Sequence, residues 1–265
     1  MKIFVTPLER GLLLALAVAL LIACFGPAVA QHPHYHDFAD QRSWFGLSCA
    51  MDLLSNLPFA IGGLWGLWTL LRLPVEHAPS AQRPMACLFF VGLVLTALCS
   101  GIYHWQPDNA GLLLDRMGMV VAFAGLLGLA AADRVSPRAG WVIAGVMLLL
   151  GPLSVTVWAA SGNLLPWVVL QGCGMLLILL LAARKPVSGA WGLPLVIVIG
   201  LYSLAKLLEL GDHVVFDLTQ GFVSGHSLKH IVAALVAWPV IAVMHNAAQG
   251  KPRHALPMSL VQPGA

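Results

Sequence analysis

The sequence predicts an all-α membrane protein: a bundle of seven transmembrane helices preceded by a signal peptide or signal-anchor helix. Three observations predict it. Of the 265 residues, 59% are hydrophobic and only 9% charged, against about 25% charged in soluble domains. Eight runs approach the roughly 20 apolar residues that cross a bilayer. The gaps between them are short and rich in Gly, Pro, Asp, Asn and Ser, which leaves no room for a soluble domain. Five scattered Cys exclude a disulfide-stapled scaffold, and a net charge of +3 leaves no nucleic-acid footprint.

The first run, Gly11–Ala30, follows Lys2 and Arg10. Its apolar part is short, and it ends in Ala28-Val29-Ala30. That small-x-small pattern suits signal peptidase cleavage before Gln31. Leu21-Ile22-Ala23-Cys24 also resembles a lipoprotein signal cut before Cys24, and an uncleaved anchor is the third alternative. Residues 1–30 are read as this segment, 31–51 as an extracytoplasmic segment, 52–245 as the seven-span core and 246–265 as a cytoplasmic tail.

The core runs are Asp52–Leu73, Pro84–His104, Gly111–Ala131, Gly140–Ala160, Leu164–Ala183, Trp191–Leu210 and His226–His245. With Gln31 outside, the inner gaps hold Arg72 and Arg83, Arg134 and Arg138, Arg184 and Lys185, then Lys251 and Arg253. The outer gaps hold Arg42 and otherwise acids. This positive-inside pattern puts the amino end outside and the carboxyl end in the cytoplasm, and the signal points to a bacterial inner membrane. Trp44, Trp105, Trp158 and Trp167 are expected at the outer interface; Trp68, Trp141 and Trp191 are expected at the inner one.

Ionisable groups inside spans are costly and mark function. Ser100 and His104 end the second core span, Asp115 begins the third, and His226 and His230 open the seventh, all at the outer end. Ser100 and His104 are spaced i, i+4, as are His226 and His230, so each pair shares a helix face. Three imidazoles with an open position describe a catalytic zinc site better than a closed structural one. His245 lies about 22 Å further along the helix than His230 and is read as structural.

These residues resemble the alkaline ceramidases. The family sits in a superfamily of seven-span metal hydrolases that includes the adiponectin receptors and GPI-lipid remodelling enzymes. The resemblance rests on Ser100-Gly-Ile-Tyr-His104, Asp115-Arg116, His226-Ser-Leu-Lys-His230 and Ser55-Asn56-Leu57-Pro58-Phe59, and covers roughly Ser43 to His245. It implies zinc held by His104, His226 and His230, with Asp115 contacting the zinc-bound water and Ser100 beside it. It also implies an acidic calcium site before and within the first core span. Here Asp40 and Asp52 remain for at most a weak calcium site, because Cys49 stands where an acid aligns.

The expected activity is hydrolysis of the amide bond of a ceramide-like N-acyl lipid drawn from the bilayer. Asp115 would act as general base then acid, and Ser100 as oxyanion donor. The alternatives are a heptahelical receptor or sensor with a structural metal site, and a metal or proton transporter. The polar cluster stops at the outer end and the inner loops are short, which argues against both. Among weaker signals, His32, His34 and His36 are read as an inert tail. Glu209, Asp212 and His213 form a site mouth or a solvated turn, Lys206 snorkels or pairs with Glu209, and Lys229 faces away from the two His.

Overall fold

A computed structural model describes residues 6–250; Lys2, Lys251, Arg253 and the end of the tail lie outside the described residues. The described residues form eleven α-helices: α1 Pro7–Phe25, α2 Ala50–Leu54, α3 Leu57–Arg72, α4 Gln82–Trp105, α5 Asn109–Arg134, α6 Pro137–Ser161, α7 Leu165–Ala182, α8 Leu195–Leu210, α9 Asp212–Leu218, α10 Gly225–Ala234 and α11 Ala237–Ala248. Seven stretches among them are long and apolar enough to cross a membrane. They are α1, α2 with α3, each of α4 to α7, and α10 with α11. The protein is an all-helical integral membrane bundle.

The eight expected runs all find helices, with three differences. The first helix starts at Pro7, where Thr6 and Glu9 form a capping box, and stops at Gly26-Pro27. Two core spans are each interrupted. Pro58 and Pro239 lack the N–H that a continuous helix needs, and the chain steps at Ser55-Asn56 and at Leu235-Val236. The third difference is α8, which spans only 16 residues, about 24 Å. Residues 191–194, expected to be helical, are irregular, with Gly192 at positive φ.

In that irregular stretch Trp191 and Leu193 are buried and the backbone amides are paired. Gly189 and Gly192 take positive φ, and Pro194 supplies no donor. Gln82 accepts from the Trp191 amide at 3.0 Å. The Asp133 carboxylate accepts from the amides of Gly192 and Leu193 at 2.8 and 3.1 Å, from Gln82 Nε2 at 2.9 Å and from Arg134. Irregular backbone at this depth is tolerated only when its polar groups are satisfied in this way.

The centre of the bundle is the α4–α5 hairpin, which packs on α3 and α6. Gly92 and Gly125 let its backbones touch: a Cβ at Gly125 would lie 2.1 Å from the Phe89 nitrogen. Small residues of this kind allow close approach in membrane bundles, where packing rather than hydrophobicity drives association. Phe89, Phe90, Ala124 and Leu129 fill the core beside them.

The tryptophans expected at the interfaces divide by exposure. Trp44, Trp105, Trp68 and Trp141 are exposed, whereas Trp158, Trp167 and Trp191 are buried. Trp158 and Trp167 face the buried Arg116 guanidinium at 4.1 and 5.9 Å. Trp191 donates its indole N–H to the His77 carbonyl. Their partners lie inside the protein.

Candidate metal centre

Each histidine is placed by local structure. His104 sits in the last turn of α4. His226 and His230 lie one turn apart on α10, whose start is fixed by the Ser224 hydroxyl accepting from the Ser227 amide at 2.9 Å. The His226 amide donates to Asp212 at 2.7 Å. The three rings are buried, and one ligating nitrogen from each lies within 4.8 Å of the others. His104 Nε2 and His226 Nε2 are 3.3 Å apart. Among the described residues this is the only group of three or more metal-ligating side chains brought together, and it could hold a metal ion.

The orientation of His230 is set by a residue whose role spacing did not reveal. Ser55 stands at the step between α2 and α3, and its hydroxyl donates to the Asp52 carbonyl at 2.8 Å. Its oxygen lies 2.8 Å from His230 Nδ1. With its own proton committed, Ser55 must accept from Nδ1–H. His230 is then the tautomer whose Nε2 lone pair is free, the arrangement that orients metal-binding imidazoles elsewhere. Asp52 ties the same step to α10 by accepting from Ser224 at 3.1 Å and Ser227 at 2.6 Å.

A cavity of about 180 Å³ runs into the bundle from this site. It is lined by Ser100, Asp115 and His230 at one end and by apolar residues such as Phe59, Leu93, Phe123 and Met175 beyond. Ser100 and Asp115 are neighbours within it, one from each arm of the α4–α5 hairpin. The five residues singled out by depth therefore do converge. His104 and His226 complete the imidazole cluster, and the other three line the cavity.

The segment before α2 covers the cluster. The Phe38 ring, 4% exposed, lies 4.7 Å from the His104 ring and 4.5 Å from that of His226. The Ala39 amide bonds Asp212 at 2.9 Å, and His213 Nε2 bonds the Asp37 carbonyl at 3.1 Å. Asp212 and His213 thus pin a strap. His36 contacts the Tyr103 hydroxyl and Asn109, while His34 pairs with Asp37, so the three tail histidines do not meet at a metal site.

Among the described residues, the one group of three or more metal-ligating side chains does not include Asp40 or Asp52. Arg42 grips the fully buried Asp40 carboxylate through Nε and a terminal nitrogen, at 2.8 and 2.5 Å. That carboxylate holds the Arg42 guanidinium above its ordinary pKa. An internal guanidinium thus already supplies the positive charge at Asp40. Cys49 and Cys99 are both free thiols.

Lys229 does not face away from the two histidines. Its Nζ lies 3.0 Å from His226 Nε2 and 3.2 Å from Glu209 Oε1. Lys206 pairs with Glu209, as expected, at 2.5 Å. All three side chains line the cavity. A lysine at i+3 from one histidine shares its face, so this signal was present in the sequence. No family model matches the chain, and no curated protein is similar enough to match.

Proposed function

We propose that the chain is a zinc-dependent intramembrane hydrolase that cleaves the amide bond of a ceramide-like N-acyl lipid. The observation that carries this is the position of the histidine cluster, at the polar end of an apolar cavity that also presents Asp115 and Ser100. The donor set fits zinc: neutral imidazoles at about 2.0–2.1 Å in tetrahedral array stand roughly 3.3–3.4 Å apart, and the two Nε2 atoms are 3.3 Å apart. Three protein ligands leave the open position of a catalytic rather than a structural site.

Zinc, when bound by His104, His226 and His230, supplies Lewis acidity and lowers the pKa of water towards about 7. The protein's own groups do the rest. The apolar wall receives the acyl chain. Asp115 takes the proton of the attacking water as its oxygen bonds to the amide carbon, then delivers a proton to the departing nitrogen as the C–N bond breaks. Ser100 donates to the oxygen that gains charge. Phe38 and the strap shield the cluster on the side away from the cavity. The products are a fatty acid and an amine.

The flanking charges support an amino end outside and a carboxyl end in the cytoplasm of a bacterial inner membrane, with the site near the extracytoplasmic face. The test is purification, metal analysis, and incubation with a panel of N-acyl lipids and esters with detection of released fatty acid. Parent protein is expected to carry about one zinc per chain and to release fatty acid. His226→Ala is expected to lose both, and Asp115→Asn to keep zinc and lose turnover by a hundredfold or more. Full activity in both variants would defeat the proposal.

A further inference from the structure

The cavity holds more charge than the proposed chemistry uses. Lys206, Glu209 and Lys229 project into it beside Ser100, Asp115 and His230, where the remaining wall is mostly Phe, Leu, Met, Ile and Val. Charges at such depth are expensive and usually mark a ligand pathway. A single Lys–Glu pair would have closed the charge. Here one carboxylate is shared by two ammonium groups, Lys206 at 2.5 Å and Lys229 at 3.2 Å.

Each ammonium has three donors. Lys206 spends one, on Glu209. Lys229 spends a second on His226 Nε2, the lone pair that a metal would claim. With a metal on that nitrogen, Lys229 keeps only Glu209. Among the charged side chains that line the cavity, the two lysines balance Glu209 and Asp115, so a divalent cation at the imidazoles adds two positive charges beside that lining. Lys206 has 45% of its side chain accessible, so this charge stands where the cavity opens beside α8.

We infer that Lys206 and Lys229 receive an anionic oxygen group, a carboxylate or a phosphate, on the polar part of the lipid. The preferred substrate class is then an N-acyl amino acid or an N-acyl amino phosphate rather than a neutral N-acyl amino alcohol. The reaction rests on the hydrolase reading; the binding rests only on a divalent cation at the three imidazoles. Lys is suited to the task as a compact point charge that does not demand one planar geometry.

The test uses three ligands with one acyl chain: N-dodecanoylglycine, N-dodecanoyl phosphoethanolamine and neutral N-dodecanoylethanolamine. Binding to the purified, zinc-loaded full chain in micelles is measured by calorimetry, and hydrolysis is followed on the same protein by released fatty acid so that its heat is accounted for separately. One or both anionic ligands are expected to bind at least about tenfold tighter than the neutral one, in line with hydrogen bonds to charged groups. The arm that wins identifies the anion. Lys206→Met and Lys229→Met are expected to bring the ratio to within about twofold, and Lys206→Arg to restore most of it. Equal binding of all three by the parent overturns the inference, whatever the variants do. So does a preference that survives both Met substitutions in protein that still unfolds cooperatively. Anionic preference without hydrolysis keeps this inference and defeats the hydrolase reading, and hydrolysis without preference does the reverse.

Discussion

Ser55→Ala isolates the device that holds His230. In the parent, the Ser55 hydroxyl donates to the Asp52 carbonyl and accepts from His230 Nδ1, both at 2.8 Å. Removing it takes the hydroxyl acceptor from Nδ1–H in a ring that is 4% exposed and leaves only the Asp52 backbone carbonyl near it. A buried donor left poorly satisfied costs up to about 1–3 kcal/mol. Without metal, the ring can move its proton to Nε2 and escape part of that cost. With metal on Nε2 it cannot, so the penalty falls on the bound state. Zinc affinity should drop by about 10–100-fold, the range seen when such outer partners are lost, equivalent to about 1.4–2.7 kcal/mol. The assay is chelator competition on purified protein, with thermal unfolding of the chelated form as the control. Unchanged zinc affinity in Ser55→Ala, alongside loss of zinc in His230→Ala, would refute the argument about the tautomer.

Three further outcomes follow from the fold. Asp133→Ala strips the acceptor from Arg134, Gln82 and the amides of Gly192 and Leu193; it should destabilise the bundle by about 3–5 kcal/mol, as removing one partner of a buried pair does, read by thermal unfolding in micelles. Gly125→Ala sets a Cβ against the backbone of Phe89, which cannot yield, and should cost about 1–3 kcal/mol by the same measurement, whereas Gly145→Ala, with open space around it, should be neutral or slightly stabilising. The Cys49 thiol is pushed up to about 11 by burial and by the neighbouring carboxylates of Asp52 and Asp40. Only the thiolate is reactive, so alkylation of Cys49, followed by mass spectrometry, should be at least about a hundredfold slower at pH 8 than for a free thiol of pKa about 8.5 and should climb about tenfold per pH unit towards 11. A rate equal to that of a free thiol would contradict the buried placement.

Much of the fold was legible because the bilayer imposes a length and a polarity on each segment. The helices containing His104, Asp115 and His226 are where hydropathy put them, and the i, i+4 spacing carried the imidazoles to one face. The interruptions were harder to read. Pro58 and Pro239 were visible, yet an apolar run reads as continuous until its hydrogen bonds are traced. Residues 191–194 look like the start of a span; only the buried Gln82, Asp133 and Arg134 of other helices show why they are not one. The contacts that Ser55, Asp212 and Phe38 make were illegible for a common reason, although Ser55 stood in a family-like motif and Asp212 at a candidate site mouth. Each acts through a contact between segments far apart in the chain, such as the 175 positions between Ser55 and His230, and no local spacing encodes that. Lys229 was misread despite a local signal, because a long side chain was judged by its backbone angle alone.

The distribution of buried polar groups also bears on the choice between the proposed hydrolysis and transport. Asp133, Arg134 and Gln82 form a second polar cluster at the far end of α5, eighteen residues from Asp115 and therefore about 27 Å away along the helix. A transporter needs polar groups that pass a cargo from one such cluster to the other. Here the far cluster is consumed: Asp133 accepts from four partners, Arg134 donates to Asp133 and to the Leu193 carbonyl, and Gln82 bridges Asp133 and Trp191. Between the two lie Ala124, Leu126, Leu127, Leu129 and Ala130, all buried and apolar. One cluster closes an irregular turn; the other leaves imidazole, carboxylate, hydroxyl and ammonium groups facing a cavity shaped for a chain of methylenes. That asymmetry supports the proposed hydrolysis of an amphiphile over a path along which an ion crosses the bilayer.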